Sequence, residues 1–361
     1  MNAPTSHTAA PRTDRDRIAV SVVIVNYESW PDVASLVETL AESAELSQGR
    51  WEVIVVDNAS RSEIPAPLHS PPDGVRLILN DRNLGFAAGV NLGCADARGA
   101  WILLLNPDVA IDAEFPEQVR DRITHYENRP KGRPGIVGFA LRNEDGSAQP
   151  SVGIEPSLIQ SLRGQFIPRA RRKYQTASRT VAGDVPWVTG ACVLIDAEAL
   201  RDGNGMDEDF FLYYEEVALC RMFRSAGRSV EFDPAVSVTH LRPLQNRRVS
   251  PRLRVITRHS KLVYFSKHRP ALEFALLRRV VLIEAAVRRL WARGVGDESQ
   301  RRCWELVGRI ARRIGNGPMV TGREVMQWTE ILNAPRPGLT VHPGHAGQGP
   351  RHAAGQPSRS T

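Results

Sequence analysis

The 361-residue sequence predicts an α/β fold, a mostly parallel sheet with helices on both faces, followed by a helical C-terminal extension. Short apolar, β-branched runs alternate with stretches of helical spacing from Ile18 to about residue 240. The run Trp101–Leu105 has no polar alternation and stops at Asn106-Pro107-Asp108, as a strand buried on both faces does. From Pro251 to about residue 333 helical spacing takes over, with no convincing strand.

Residues 1–17 are polar and aperiodic, so they are expected to be disordered and to hold no secretory signal. Ile18–Val25 is β-branched and reads as a buried strand ending in Asn26-Tyr27. Val33, Leu36, Val37 and Leu40 space a helix over Pro31–Glu42, and Asp32 suits the positive end of its dipole. Trp51–Val56 is a second strand ending in Asp57-Asn58, and Val75–Leu79 a third. Asn80–Asn91 is a glycine-rich loop that opens a helix running to about Arg98. After Trp101–Leu105, Pro107 cannot donate to a sheet ladder, so the chain leaves the sheet there. Asp108 is then presented just past the carboxyl end of a central strand, where open α/β sheets bind ligands.

Phe115–Tyr126 is helical, Gly135–Leu141 a strand and Asn143–Gly146 a turn. Residues 150–183 carry Arg169, Arg171, Arg172, Lys173 and Arg179 without periodicity and read as a mobile basic loop, either covering the site or simply solvated. Val185–Ile195 reads as one apolar strand interrupted at Thr189-Gly190. Glu215–Ala226 is a helix stopped by Gly227, Ser229–Phe232 a strand, and Val236–His240 leads into a basic segment. Ala271–Trp291 is a basic amphipathic helix with Arg278, Arg279, Arg288 and Arg289. Such a helix can lie on an anionic membrane or pack its apolar face on the main domain. The tail 334–361, rich in Gly, Pro, His and Ser, is expected to be disordered. The expected organisation is therefore a main domain over 18–250 and a helical region over 251–333, between disordered ends.

Hydrophobic residues make up 42% and charged residues 24%, the ordinary globular range. The net charge of +7 favours acidic partners such as nucleotides, pyrophosphates or phospholipids, and no nucleic-acid partner is expected. Cys94, Cys192, Cys220 and Cys303 form no CxxC pair, which argues against a zinc or redox motif and fits a reducing cytoplasm. No apolar run is long enough for a transmembrane helix. Membrane contact would be peripheral, on the inner face of the plasma membrane.

In a parallel sheet the ends of the first four strands gather on one edge. Asp57 there can accept a hydrogen bond from a base or a ribose hydroxyl, and Asp108 can hold a metal bridging two phosphates. The glycines of NLGFAAGVNLG make no GxGxxG after the first strand, which argues against a dinucleotide-binding dehydrogenase. The segments VSVVIVNYES, VIVVDNAS, NLGFAAGVNLG, WILLLNPD, WVTGACVLI and MDEDFFLYYEEVALCRMFRSAG, in that order over residues 18–245, resemble the rhamnosyltransferase-type branch of the family 2 inverting glycosyltransferases.

The resemblance implies a GT-A fold, a dTDP- or UDP-linked sugar donor and a Mg²⁺ or Mn²⁺ cofactor. It implies that Asn26, Asp57 and Asn58 contact the nucleoside and that Arg82-Asn83 line the same pocket. Asp108 would fill the last position of the family's DxD metal motif, with Asn106 in place of the first Asp, and His240 would complete the metal site. Of the acidic pair Glu215-Glu216, the second member would be the catalytic base. Ala218 departs from the family, many members of which have Asp there. Trp187, Thr189 and Gly190 match a segment that approaches the acceptor; Trp187 reads either as a sugar-stacking ring or as core. Arg242, Arg247 and Arg248 could bind a diphosphate. The expected activity is transfer of a sugar, L-rhamnose among the candidates, to a lipid-linked or polysaccharide acceptor in cell-envelope synthesis. The alternatives are a galactofuranosyltransferase using UDP-galactofuranose and a non-catalytic nucleotide-sugar-binding relative.

Overall fold

A computed structural model describes residues 18–163, 181–242 and 249–332. The expectations for residues 1–17, for the basic stretch 164–180, for Arg247 and Arg248, and for the tail lie outside the described residues.

Twelve strands are labelled in chain order: β1 Val20–Asn26, β2 Trp51–Asp57, β3 Val75–Leu79, β4 Trp101–Leu105, β5 Val109–Ala110, β6 Ile136–Arg142, β7 Ala148–Gln149, β8 Val152–Gly153, β9 Gly183–Asp184, β10 Trp187–Val188, β11 Cys192–Asp196 and β12 Val230–His240. The α-helices are α1 Trp30–Ala41, α2 Ala44–Ser47, α3 Phe86–Ala95, α4 Phe115–Glu127, α5 Leu158–Arg163, α6 Ala197–Asp202, α7 Glu215–Ser225, α8 Pro251–His268, α9 Ala271–Gly294, α10 Glu298–Asn316 and α11 Gly322–Thr329.

The main sheet runs β3-β2-β1-β4-β11-β6-β12-β5. β3, β2, β1 and β4 are mutually parallel, β11 is antiparallel between β4 and β6, and β12 lies parallel to β6. Every residue of β1, β2 and β4 is buried, because apolar side chains cover both faces. On one face α1 and α4 supply Trp30, Val33, Phe115 and Ile123; on the other, α3, α7 and the C-terminal helices form one continuous core from Ala87 through Val217 to Val325. Each large aliphatic side chain buried this way contributes about 1.5–3 kcal/mol. α3 lies directly on the strands: a Cβ on Gly89 would stand 2.8 Å from Val25 Cγ1, and one on Gly93 2.7 Å from Val23 Cγ1. Its glycines are the price of that approach.

The structure departs from the sequence reading in three places. Val185–Ile195 is two strands in two sheets: β10 pairs with β8, and β11 enters the main sheet. An unbroken apolar run records burial, not direction, so the break at Gly190 was visible only as an interruption. The described part of the expected basic loop holds β8 and α5. β12 is one strand across Asp233-Pro234, with a register shift between Asp233 and Ser237. Pro234 cannot donate to the ladder, and the Asp233 carboxylate accepts instead from Arg122 Nε at 2.8 Å and from the Tyr126 hydroxyl.

All four cysteines are free, and burial pushes their thiols up, Cys94 and Cys220 to about 12 and Cys303 to about 11. No described helix is long and apolar enough to cross a membrane.

Candidate active site

The register of the parallel strands sets the site. Asn26 and Asp57 are paired neighbours at the ends of β1 and β2, and Ile24 pairs with Leu105 of β4. The chain beyond all three strands therefore emerges on one edge.

Asn26 Nδ2 donates to Asp57 Oδ1 at 2.7 Å, and the Ser60 hydroxyl donates to the same oxygen at 2.6 Å. The Ser60 N–H caps Asp57 Oδ2 at 3.0 Å. Three donors hold this buried carboxylate in one orientation, and a carboxylate retains further acceptor capacity. Asn58 is 2% exposed and serves the scaffold: its Nδ2 donates to Gly85 O at 2.8 Å and its Oδ1 accepts from Asn80 Nδ2 at 2.9 Å. Asn83 Oδ1 accepts from the Gly85 N–H at 3.0 Å. Gly85 has φ +94, and a Cβ there would stand 2.8 Å from Phe211 O. The Arg82 side chain projects outward, two-thirds exposed, with Asp81 3.9 Å away.

Asn106-Pro107-Asp108 forms a turn closed by Val109 N–H donating to Asn106 O at 3.2 Å. β5 then pairs with the end of β12, setting Val109 opposite His240. His240 Nε2 lies 3.3 Å from Asp108 Oδ1. Its other nitrogen, Nδ1, lies 3.0 Å from Nε2 of Gln149, a buried residue of β7. With the amide so placed, the imidazole proton sits on Nε2 facing Asp108. Gln149 Oε1 is buried with no hydrogen-bond partner among the described residues. Half a turn of the amide would let Oε1 accept from an Nδ1–H, leaving the Nε2 lone pair directed towards Asp108.

That orphaned oxygen tests whether a divalent cation fits. Among the described residues no cluster of three or more His, Cys, Asp or Glu side chains could hold a metal alone. Asp108 and His240 supply one oxygen and one nitrogen donor, and Gln149 can fix the ligating tautomer. Mg²⁺ and Mn²⁺ accept one or two protein ligands when substrate phosphates complete the shell, so the residues fit that use. Asn106 is anchored through its backbone, its N–H donating to Ala191 O at 2.9 Å.

Glu215 and Glu216 open α7, and both are buried in its first turn. Tyr213 and Tyr214, just before them, have φ +69 and +72, left-handed conformations that bulky residues rarely adopt. They are held from outside: Tyr264 packs its ring 5.4 Å from that of Tyr214, and the Ser260 hydroxyl donates to Leu212 O at 2.8 Å. A Cβ on Gly190 would stand 3.8 Å from Glu216 Cβ and 3.9 Å from Phe86 Cε1, so Gly190 lies between the candidate base and the start of α3. Ala218 is buried in the core, on α7.

Of the two forms open to Trp187 the structure takes the core one, and Asn58 and Arg242, expected at ligands, are engaged within the protein. Trp187 belongs to the core: it is 2% exposed, its Nε1 donates to Ile154 O at 2.9 Å, and Gly153 packs against its ring. The ring has no face left for a sugar. Arg242 forms an ion pair with Asp32 in the first turn of α1, so that guanidinium is already engaged. Gln149 and Ser60 were missed, because neither stands in a patterned segment; only the fold brings them to His240 and Asp57.

The chain matches the model of the family described as "Glycosyl transferase family 2" over residues 21–203. It is 28% identical over 239 residues, 61% of this chain and 75% of the other, to an N-acetylglucosaminyl-diphospho-decaprenol L-rhamnosyltransferase of Mycobacterium tuberculosis. It is 25% identical over 241 residues, 63% of this chain and 69% of the other, to the low-salt glycan biosynthesis hexosyltransferase Agl10 of Haloferax volcanii. Its fold is similar to that of a GalNAc-T7 crystal structure with UDP, GalNAc and Mn²⁺, with a TM-score of 0.51 and 16% identity. The alignment covers 89% of this chain and 55% of that one.

Proposed function

The chain belongs to glycosyl transferase family 2, with a GT-A-type fold, and on that premise we propose that it is an inverting, metal-dependent hexosyltransferase. The donor is dTDP-rhamnose and the acceptor a lipid-linked glycan of cell-envelope synthesis; supporting this, the mycobacterial relative is named as an L-rhamnosyltransferase acting on N-acetylglucosaminyl-diphospho-decaprenol. The observation that carries the mechanism is the position of Glu216 beside Gly190, two residues before Cys192 of β11, which pairs with Leu105 at the strand edge where Asp57 and Asp108 emerge.

Asp57, oriented by Asn26 and Ser60, accepts from the nucleoside, while Asn58 and Asn83 hold the Gly85 turn that shapes the same pocket. Glu216 takes the proton of the acceptor hydroxyl as its oxygen attacks the anomeric carbon, and the bond from that carbon to the diphosphate oxygen breaks. The displacement is single, so configuration inverts. Glu215 adds negative charge beside the base. Asp108 and His240 would hold a divalent cation, which supplies charge neutralisation to the leaving diphosphate when bound.

A donor screen by thermal shift with Mn²⁺ present, followed by transfer to a lipid-linked acceptor, tests this reading. Glu216→Gln is expected to keep donor binding and lose roughly 10²–10⁴-fold in rate. Asp108→Ala is expected to lose Mn²⁺-dependent donor binding as well. Full transfer rate in both variants would overturn the assignment.

A further inference from the structure

α9 has two opposed apolar faces. Leu277, Val281, Ala285 and Ala292 are buried against the other helices. At 3.6 residues per turn, Leu272, Leu276, Ile283, Val287 and Leu290 fall on the opposite side, and all five are exposed, between 38% and 72%. They form a stripe about 27 Å long. Trp291 and Val295 extend the exposed apolar surface at its C-terminal end. At the other end, the N–H of Leu158 donates to Glu273 Oε2 at 3.4 Å, bringing α5 and its exposed Ile159 and Leu162 beside the first turn. Single exposed leucines are ordinary; a stripe of this length, interrupted by Arg279 alone, marks a docking surface.

Charge identifies the occupant. Arg279 lies in line with the stripe, Arg293 borders it and Arg289 lies further round the same side; all three are exposed and none forms an ion pair among the described residues. The helix's two acids are already engaged, Glu273 by Arg269 and Glu284 by Arg258. Arg278, by contrast, turns inward to Ala311 O, and Arg288, though exposed, lies over the Trp304 ring on the packed side of the helix. A second copy of α9 would oppose arginines to arginines with no carboxylate between them. The sequence after Asn333 offers only Leu339 and Val341 as large aliphatic side chains, too few to cover the stripe. Hydrocarbon bordered by phosphate matches both the apolar line and its cationic rim.

We propose that α9, with α5 beside it, docks the protein on an anionic phospholipid bilayer, the helix axis lying in the plane of the interface. The docking does not depend on the donor or acceptor assigned above.

The test is co-sedimentation of the full-length protein with vesicles of phosphatidylglycerol and phosphatidylcholine in equal parts, against phosphatidylcholine alone, at low and high salt. Binding to the mixed vesicles that weakens in salt is expected. The double variant Ile283→Glu/Leu290→Glu should lose at least about tenfold in partitioning. The triple variant Arg279→Gln/Arg289→Gln/Arg293→Gln should lose on the order of a hundredfold on anionic vesicles. Thermal melting should show both variants folded. No binding of the parent protein, or equal binding by the glutamate variant, overturns the proposal. So does a concentration-dependent dimer that the same variant abolishes, since the stripe would then be covered by a second copy.

Discussion

Gly190 offers a graded test of where the base sits. An alanine Cβ would lie 3.8 Å from Glu216 Cβ, ordinary van der Waals contact, and the backbone there is not left-handed. Gly190→Ala should therefore leave transfer within a few-fold of the parent. Valine adds methyl groups about 1.5 Å further out. One directed at Glu216 would close the gap to about 2.3 Å, well inside the ~3.5–4.0 Å optimum for carbon pairs. The glutamate must give by about 1 Å, a displacement that costs roughly 10²-fold in rate when it moves a reacting group out of line. Transfer from the cognate sugar nucleotide, followed by release of nucleoside diphosphate at saturating donor, reads kcat; donor thermal shift controls for the pocket. Gly190→Val at the parent's rate, in a folded protein that binds donor, would refute the placement of the base beside this glycine.

Two further outcomes follow from other parts of the molecule. His259 of α8 is fully buried, and burial lowers its pKa from 6.5 to about 4, although its bond to Val320 O at 2.6 Å opposes the shift. A depressed folded pKa means stability that is complete above pH 6.5 and falls as the pH drops towards 4, by about 3 kcal/mol. Urea unfolding of the parent and of His259→Asn across that window should differ in slope; parallel curves would reject the buried neutral histidine. Gln149→Leu removes the acceptor for an Nδ1–H on His240 and should weaken Mn²⁺ binding by about 10- to 100-fold by calorimetry in the presence of donor, while Gln149→Glu should retain it. Unchanged affinity in the leucine variant would assign Gln149 a packing role only.

The parallel strands were legible because a strand buried on both faces leaves an unambiguous apolar run. β1, β2 and β4 each lie within a residue or two of where that run predicts them. The polar residues closing those runs were legible for the same reason: Asn26, Asp57 and Asn106 are the first non-apolar residues the chain meets at the edge, with Asp108 two residues beyond Asn106. Side-chain direction was not legible. Trp187 sits in a segment whose neighbour Gly190 lies beside Glu216, yet three residues of chain separate that position from a ring packed in the core. Arg278 and Arg279 are adjacent in sequence, yet one bonds a carbonyl of α10 and the other faces outward. Asn58 presented the opposite problem: its amide reads as a ligand donor, and both its ends are taken by Gly85 and Asn80.

The glycine-rich segment and the segment before α7 are read from the sequence as separate motifs, but Asn91 joins them. Its Nδ2 donates to Met206 O at 2.9 Å and its Oδ1 accepts from Met206 N–H at 2.8 Å, while Phe86 N–H donates to Phe211 O at 2.8 Å. A side chain here completes the backbone pairing of a distant loop. The consequence concerns recombination. A chimera that exchanges residues 80–95 between homologues and leaves 205–216 behind splits one hydrogen-bonded body across two parents, whereas a swap carrying both segments transfers it whole. The hydrogen-bonded unit is thus discontinuous in the gene, and a single crossover between 95 and 205 separates its two halves.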